Sequence, residues 1–215
     1  MIKRLFDLLF ALLVLLLSLP FGILICVVLK LTGEGEIFYK QSRTGQNGEQ
    51  VGIYKFVTMV KDSPNLGAGD ITLKDDPRVL PIGKILRKTK INEFPQFINV
   101  LLGDMSIVGP RPLVINQFNM IPNNYKKIII MLKPGITGIG SIVFRDEEKY
   151  LQSDLNDSNN FYKSEIVPFK ASLECWYHDN SSIFVDILLV IITIIMVFIP
   201  NMNLHNHCFY RSEER

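Results

Sequence analysis

The chain has few cysteines and histidines, three of each, and a single tryptophan in 215 residues. Cys26, Cys175 and Cys208 are odd in number and far apart, with no C-x-x-C pair. That excludes a disulfide scaffold and a zinc ribbon, and it fits a reducing cytoplasm. His178, His205 and His207 are too scattered to make a metal site by spacing alone. A charge excess of one sign is missing too: 23 Lys and Arg stand against 21 Asp and Glu, a formal net charge of +2. The net charge excludes no partner by itself, and no nucleic-acid partner is expected. With 48% hydrophobic residues, disordered and collagen-like chains are excluded as well.

The hydrophobic residues are concentrated in two blocks. Leu8–Leu29 carries no charge, and at ~1.5 Å per residue it reaches across a ~30 Å hydrocarbon layer. It is too long for the apolar part of a signal peptide, and no small-x-small cleavage site follows it. Ser18-Leu19-Pro20 breaks it near the middle, because proline removes a helical hydrogen bond and crowds the preceding turn. Two readings stay open, a kinked spanning helix and a re-entrant hairpin that returns to the face it entered. Lys3, Arg4 and Lys30 flank the run, so loop charge gives weak orientation. Asp7 lies one helical turn from Lys3 and Arg4, and is expected to pair with them at headgroup level. Ile187–Ile199, the second block, is short for a full span. It reads as a helix in the interface or beneath the domain, with a second span as the alternative. Asp179 to Ser182 offers candidate caps before it.

Between these blocks the chain reads as a mixed globular domain. Val51–Val60 is strand-like, and Asp62–Asp76 reads as a loop punctuated by Pro and Gly. Val79–Ile91 has helical spacing at Ile82, Ile85 and Leu86, with Lys84, Arg87 and Lys88 on another face. A solvated face explains such lysines. Yet no acid falls between Pro77 and Ile91, and beside a membrane such a cluster holds anionic groups. A second helix is expected to begin at Asn92-Glu93, with Asn92 as cap, Pro95 in the first turn and Gly103 as its stop. Glu93 there is either a favourable first-turn acid or a cation ligand near a phosphate site. In Ser106–Leu113, Arg111 stands between Pro110 and Pro112. The stiffened backbone suits a guanidinium that must bind phosphate in one geometry, and it equally suits a structural turn. Lys133–Gly140 is a glycine-rich turn, Arg145 follows, and Asp146, Glu147 and Glu148 form an acidic run. Tyr150–Ser164 is polar and asparagine-rich, and the His205–His207 tail is expected to be disordered.

Several stretches together resemble the bacterial sugar transferase family, the monotopic polyprenyl-phosphate phosphoglycosyl transferases. They are KRLFD (Lys3–Asp7), the Pro-broken run, FYKQSRTGQNG (Phe38–Gly48) and IYKFVTM (Ile53–Met59). The series continues through the long block Asp76–Pro112, KPGITG (Lys133–Gly138) and WYHDNSSIFVDI (Trp176–Ile187). The resemblance implies an α+β fold, a mostly helical domain with short strands on the cytoplasmic face of the bacterial inner membrane. It implies a re-entrant membrane helix turning at Ser18 and Pro20. Residues 1–32 would be the anchor, 33–182 the transferase domain, 183–202 an interface helix and 203–215 a tail.

The implied reaction moves a sugar 1-phosphate from a UDP-sugar to polyprenyl (undecaprenyl) phosphate, releases UMP and uses Mg²⁺. Its product would initiate a surface polysaccharide or lipopolysaccharide, and a homo-oligomer is allowed. By the same resemblance Glu93 is catalytic and binds the metal with Asp104. Arg111, Arg145, Lys55, Arg78 and Arg87 are the basic positions near the phosphates. Asn92 stands where the family places a nucleophilic Asp, and Val57 where it usually places a cation. An amide oxygen is a poor nucleophile toward phosphorus. Three expectations follow: a transferase working by altered chemistry, with Glu93 as nucleophile or the lipid phosphate attacking directly; a non-catalytic relative that binds nucleotide sugar or lipid phosphate and modulates a partner; or a chain whose nucleophile has been deliberately changed.

Overall fold

The computed structural model describes residues 1–32, 34–66, 76–145 and 162–199. The acidic run Asp146–Glu148, most of Tyr150–Ser164 and the tail with His205 and His207 lie outside the described residues.

The N-terminal apolar run forms one helix, α1 (Ile2–Leu31), with Pro20 inside it. Both ends of α1 pack on the same globular body. Phe6, Phe10 and Ala11 join a core cluster with Ile53, Val100 and Met105. Ile25, Cys26 and Leu29 join another with Phe56 and Leu86. Between these ends the side chains are bare; Leu12, Leu16, Leu19 and Leu24 are all exposed. Among the described residues this is the one helix long and apolar enough to cross a membrane.

The charged first turn of α1 departs from expectation. Asp7 does not pair with Lys3 or Arg4 at headgroup level. It is buried, and accepts hydrogen bonds from Ser106 Oγ at 2.9 Å and the Ile107 N–H at 3.0 Å. Lys3 Nζ instead meets Asp186 Oδ2 at 2.5 Å, and Arg4 donates to the carbonyls of Val100 and Leu101. These carbonyls end a helix, where a cation is favoured by the dipole and by unsatisfied C=O groups.

A hairpin follows α1. Strands β1 (Phe38–Thr44) and β2 (Gln50–Phe56) pair antiparallel from Phe38↔Phe56 to Thr44↔Gln50. The strand-like run thus ends at Phe56, short of the expected Val60, and Met59 makes only an isolated bridge to Val79. Helix α2 (Pro81–Lys88) starts on Pro81, which suits a first helical position where no N–H is needed. It buries Gly83 and Leu86. A Cβ on Gly83 would lie 2.2 Å from the Thr58 carbonyl oxygen, so glycine lets the helix rest on backbone.

The second helix starts later than its sequence suggests. Lys90 takes a left-handed conformation (φ 59°) and separates α2 from a single 3₁₀ turn, Ile91–Glu93. Helix α3 (Gln96–Leu102) begins only after Pro95, and Asn92 makes no cap. Proline has no N–H to continue helical bonding back to Ile91, so the two turns stay separate. Gly103 ends α3 at φ 96°, as expected. Asn99, fully buried in α3, fixes it on the hairpin: its Oδ1 accepts from the Tyr54 N–H and its Nδ2 donates to the Gly52 carbonyl.

Strands β3 (Ser106–Val108) and β4 (Gly135–Thr137) pair in parallel. The short helices α4 (Ile115–Asn119), α5 (Asn123–Ile129) and α6 (Ile139–Val143) lie outside this pair, α4 packing on β1 and α5 and α6 on the Val167–Asn180 helix. A π turn, Tyr162–Ile166, leads into α7 (Val167–Asn180). Helix α8 (Ile183–Phe198) starts at Ser182, whose side chain accepts from the Val185 N–H. Asp186 of α8 is buried, and Tyr177 of α7 donates to it at 2.5 Å. The opposite side of α8 exposes Phe184, Leu188 and Ile191. The fold is therefore mainly helical, with two small two-stranded sheets among the described residues.

Candidate functional site

Two close backbone approaches mount Arg111. Gly109 N–H donates to the Thr137 carbonyl and Gly135 N–H to the Pro110 carbonyl. A Cβ on Gly109 would sit 2.2 Å from the Lys133 oxygen, and one on Gly135 2.2 Å from the Gly109 nitrogen. The two glycines let the GPRP and KPGITG segments cross with no side chain between them. Pro110 and Pro112 then stiffen the loop carrying Arg111.

Arg111 meets Glu93 at this crossing. Glu93 Oε1 is 3.7 Å from Arg111 Nη2 and 3.7 Å from Lys55 Nζ on β2. Glu93 and Lys55 are about four-fifths buried (20% and 18% exposed), whereas Arg111 is half exposed. Burial alone would raise the Glu93 carboxyl, but Arg111, Lys55, Lys90 and Arg43 outweigh it and hold the group below its ordinary value. Glu93 is therefore ionised at neutral pH. Lys55 is pulled down to about 8, first by burial; Glu93 opposes the shift, and Arg43, Arg111 and Arg87 add to it. One carboxylate thus sits among several cations, a field that favours an added anion.

The crevice around Glu93 holds only about 10 Å³ of open space, with Arg43, Lys55, Gln96 and Arg111 in its walls. Arg43 and Arg111 also line a neighbouring cavity of about 390 Å³. Lys90 and Arg145 line it too, Phe118, Ile129 and Phe144 form apolar walls, and Glu174 of α7 lies in its lining. The crevice and the cavity share two arginines as a common wall.

The sequence candidates divide accordingly. Glu93, Lys55 and Arg111 come together, and Arg145 faces the adjoining cavity while donating to the Met196 carbonyl. Arg87 stands one layer out: its Nε donates to Thr58 Oγ1 at 2.9 Å, and its charge reaches Lys55. Arg78 is not at this site. It is buried against Asp76, with Nε at 2.9 Å from Oδ1 and Nη2 at 2.6 Å from Oδ2, while Nη1 donates to the Ser63 and Leu66 carbonyls. Its role is to tie down the strand–helix connection, because a bidentate pair with two carbonyl acceptors leaves the fork occupied.

Asp104 is not beside Glu93 either. It follows the far end of α3, where its Oδ2 accepts from Asn99 Nδ2 at 3.1 Å. No group of three or more His, Cys, Asp or Glu capable of holding a metal occurs among the described residues. Asn92 is 8% exposed, and its Oδ1 has no hydrogen-bond partner. Ser18 and Pro20 lie in the bare middle of α1, Ser18 Oγ donating to the Leu15 carbonyl.

Sequence reasoning missed Arg43 and Glu174. Arg43 lies within the FYKQSRTGQNG stretch with no signal of its own, and the pairing of β1 with β2, Arg43 opposite Val51, brings its charge to Glu93. Glu174 sits in a helix of mixed polarity with no local signal beyond its charge.

The family description "Bacterial sugar transferase" matches residues 1–200. The chain belongs to the bacterial sugar transferase family. It is 30% identical over 208 residues to exopolysaccharide production protein ExoY of Rhizobium meliloti (strain 1021), covering 90% of this chain and 84% of that one. It is 34% identical over 197 residues to the UDP-N-acetylgalactosamine-undecaprenyl-phosphate N-acetylgalactosaminephosphotransferase of Aeromonas hydrophila, covering 90% of this chain and 43% of the relative. Over 145 residues it is 39% identical to the UDP-glucose:undecaprenyl-phosphate glucose-1-phosphate transferase of Escherichia coli (strain K12), 66% of this chain and 31% of that protein. This sugar transferase chain thus spans most of ExoY and less than half of the two larger relatives.

Proposed function

We propose that this bacterial sugar transferase moves a sugar 1-phosphate from a UDP-sugar to a polyprenyl phosphate and releases UMP, a step that begins a surface glycan. The observation that carries the reading is the ionised Glu93 among Lys55, Arg111, Arg43 and Lys90, in a crevice that shares its wall with a large cavity. More cations than the carboxylate needs leave a field suited to a diphosphate, and such fixed charges stabilise phosphoryl transfer. The names of two relatives, which pair UDP-sugars with undecaprenyl phosphate, support the same substrates.

The helix α1 is read as the anchor. A straight helix of 30 residues with both ends on one body would leave that body on both sides of the bilayer. A re-entrant path turning near Ser18 and Pro20 places the body on one side, here the cytoplasmic face, where UDP-sugars are made available. A cysteine placed at Ile2 tests it: in sealed inverted vesicles an impermeant maleimide labels it as it labels a cysteine on the globular body. Protection of one and labelling of the other overturns the re-entrant path.

The reaction follows from the charges. Asn92 has no anionic oxygen, so an oxygen of the lipid phosphate attacks the β-phosphorus of the donor. A P–O bond forms there, and the bond from that phosphorus to the oxygen bridging to the α-phosphate breaks. The electron pair leaves on UMP. Arg111 and Lys55 neutralise charge as it spreads over the phosphoryl oxygens, with Arg43 and Arg145 beside the leaving nucleotide. Glu93 would hold a magnesium ion only together with donor phosphate oxygens, because the cations around it disfavour a bare metal. The unpartnered buried Oδ1 of Asn92, one residue away, is an oxygen of the right type. When bound, Mg²⁺ supplies charge neutralisation at the diphosphate. Asp104 has no part in this set.

Asn92 and Val57 favour a second reading, a non-catalytic relative that binds nucleotide sugar or lipid phosphate and modulates a partner. A UMP-release assay with purified protein, a UDP-sugar panel, polyprenyl phosphate and Mg²⁺ separates the two. Activity in the natural chain, without a phosphosugar adduct on Glu93 by mass spectrometry, supports direct transfer. An adduct on Glu93 replaces direct attack with a covalent route. Activity only in Asn92→Asp supports the second reading.

A further inference from the structure

Resting on that transferase reading, we propose that Glu174 is a specificity-determining residue that accepts a hydrogen bond from the nucleoside half of the donor, with the diphosphate lying toward Arg43 and Arg111. Glu174 projects from α7 into the wall of the cavity of about 390 Å³. That volume lies within the range of small-molecule sites, roughly 300–1,000 Å³. Glu174 is 7% exposed, and its Oε2 has no hydrogen-bond partner. The other oxygen lies against α6, where the Gly140 N–H is its donor. A Cβ at position 140 would meet Oε1 at 2.5 Å, so glycine makes room for the carboxyl.

A buried carboxyl with an unused oxygen is costly, and its persistence in a cavity wall points to a donor supplied from outside the chain. The cavity has two chemistries. Arg43, Arg111 and Arg145 make one side cationic, while Phe118, Ile129 and Phe144 make another apolar. A nucleoside diphosphate matches both, since its ring covers the apolar wall and its phosphates reach the arginines. The nucleoside also carries N–H and hydroxyl donors, which a carboxyl accepts. A lipid chain would leave the carboxyl unpaired, and a bare phosphate would leave the apolar wall unused.

The charge of Glu174 is compatible with an anionic ligand. Burial, the larger influence, pushes its carboxyl up to about 7, against the Gly140 N–H and the Lys170 ammonium one turn earlier on α7. Near neutral pH it therefore does not stand as a full fixed negative charge opposite a diphosphate.

The test uses the full chain in nanodiscs, with UMP and pyrophosphate titrated separately by calorimetry. Glu174→Met is expected to weaken UMP about tenfold, the loss of one hydrogen bond to a buried acceptor, and to leave pyrophosphate within about twofold. Glu174→Gln, which keeps a side-chain carbonyl, is expected to recover most of the UMP affinity. Unchanged UMP affinity in Glu174→Met overturns the role of Glu174 and leaves the transferase reading standing. An equal loss for UMP and pyrophosphate overturns it too, as that is the mark of a purely structural residue. A natural chain that binds neither ligand overturns the transferase reading, and this role with it.

Discussion

Arg78 and Arg111 are both arginines next to prolines in one specific block of sequence, and they end in opposite circumstances. Around Arg78 every direction is answered: a bidentate carboxylate, two carbonyl oxygens and burial. Around Arg111 there is a long 3.7 Å approach to Glu93, half exposure and an open cavity. A satisfied guanidinium holds the chain together, whereas an under-coordinated one over a rigid loop is available to a ligand. Counting acceptors around a charged group therefore separates structural from functional cations where residue type does not. The Lys3–Asp186–Tyr177 cluster belongs with Arg78, and the Lys55–Glu93 pair with Arg111.

The sharpest way to break this division is Glu93→Gln. It should lower UMP release by about 10²–10³-fold or more, because it removes the one carboxylate in the cationic crevice. Its melting temperature should change little; a large drop would move Glu93 to the structural side. Arg111→Ala comes next, with a loss of about 10²-fold in kcat/KM and little change in thermal unfolding. Arg78→Met should do the reverse. It leaves Asp76 buried without its partner, so the melting temperature falls, while UMP release per folded molecule is retained. Equal activity losses in the Arg78 and Arg111 variants would erase the contrast.

Lys55 allows a finer test through pH. Its folded-state value of about 8 lies below the ordinary 10.5. UMP release should therefore decline as pH rises through about 8 and the crevice loses a cation. Lys55→Arg should move that decline to higher pH. For stability the sign is opposite: between about 8 and 10.5 the native state binds fewer protons than the unfolded chain, so stability rises with pH there. Below about 8 Lys55 is protonated in both states and contributes no slope. Urea unfolding at pH 7.5 and 9.5, compared with Lys55→Met, reads that slope. The smallest expected effect is Tyr177→Phe, which removes the hydroxyl that donates to Asp186 and accepts from Lys3, in a cluster that keeps its ion pair. A loss of about 1 kcal/mol in urea unfolding with unchanged UMP release would place it with Arg78.

What could be read from the residues alone was local chemistry. The apolar anchor, the α2 helix, the Gly103 stop and the proline-bracketed Arg111 each depend on neighbours in sequence. What could not be read was pairing across the chain. Arg43 reaches Glu93 only through the hairpin register, and Glu174 reaches the cavity only through the facing of α7 on α6. Asn92 was misread as a cap because the left-handed Lys90 and the N–H lost at Pro95 together replace one helix start with two separate turns. Asp7 was misread because its partners, Ser106 and Ile107, lie about a hundred residues away.

The ion pair between Lys3 and Asp186 joins positions 183 residues apart, and it has a consequence for biosynthesis. Lys3 leaves the ribosome long before the residue that neutralises it, so its amine must stay solvated until Asp186 has been made. Ala11 and Leu29 likewise await Val100 and Leu86. Helix α1 is a wall of the hydrophobic interior and not a detachable tether, so a protease that clipped it would strip buried contacts from two core clusters at once.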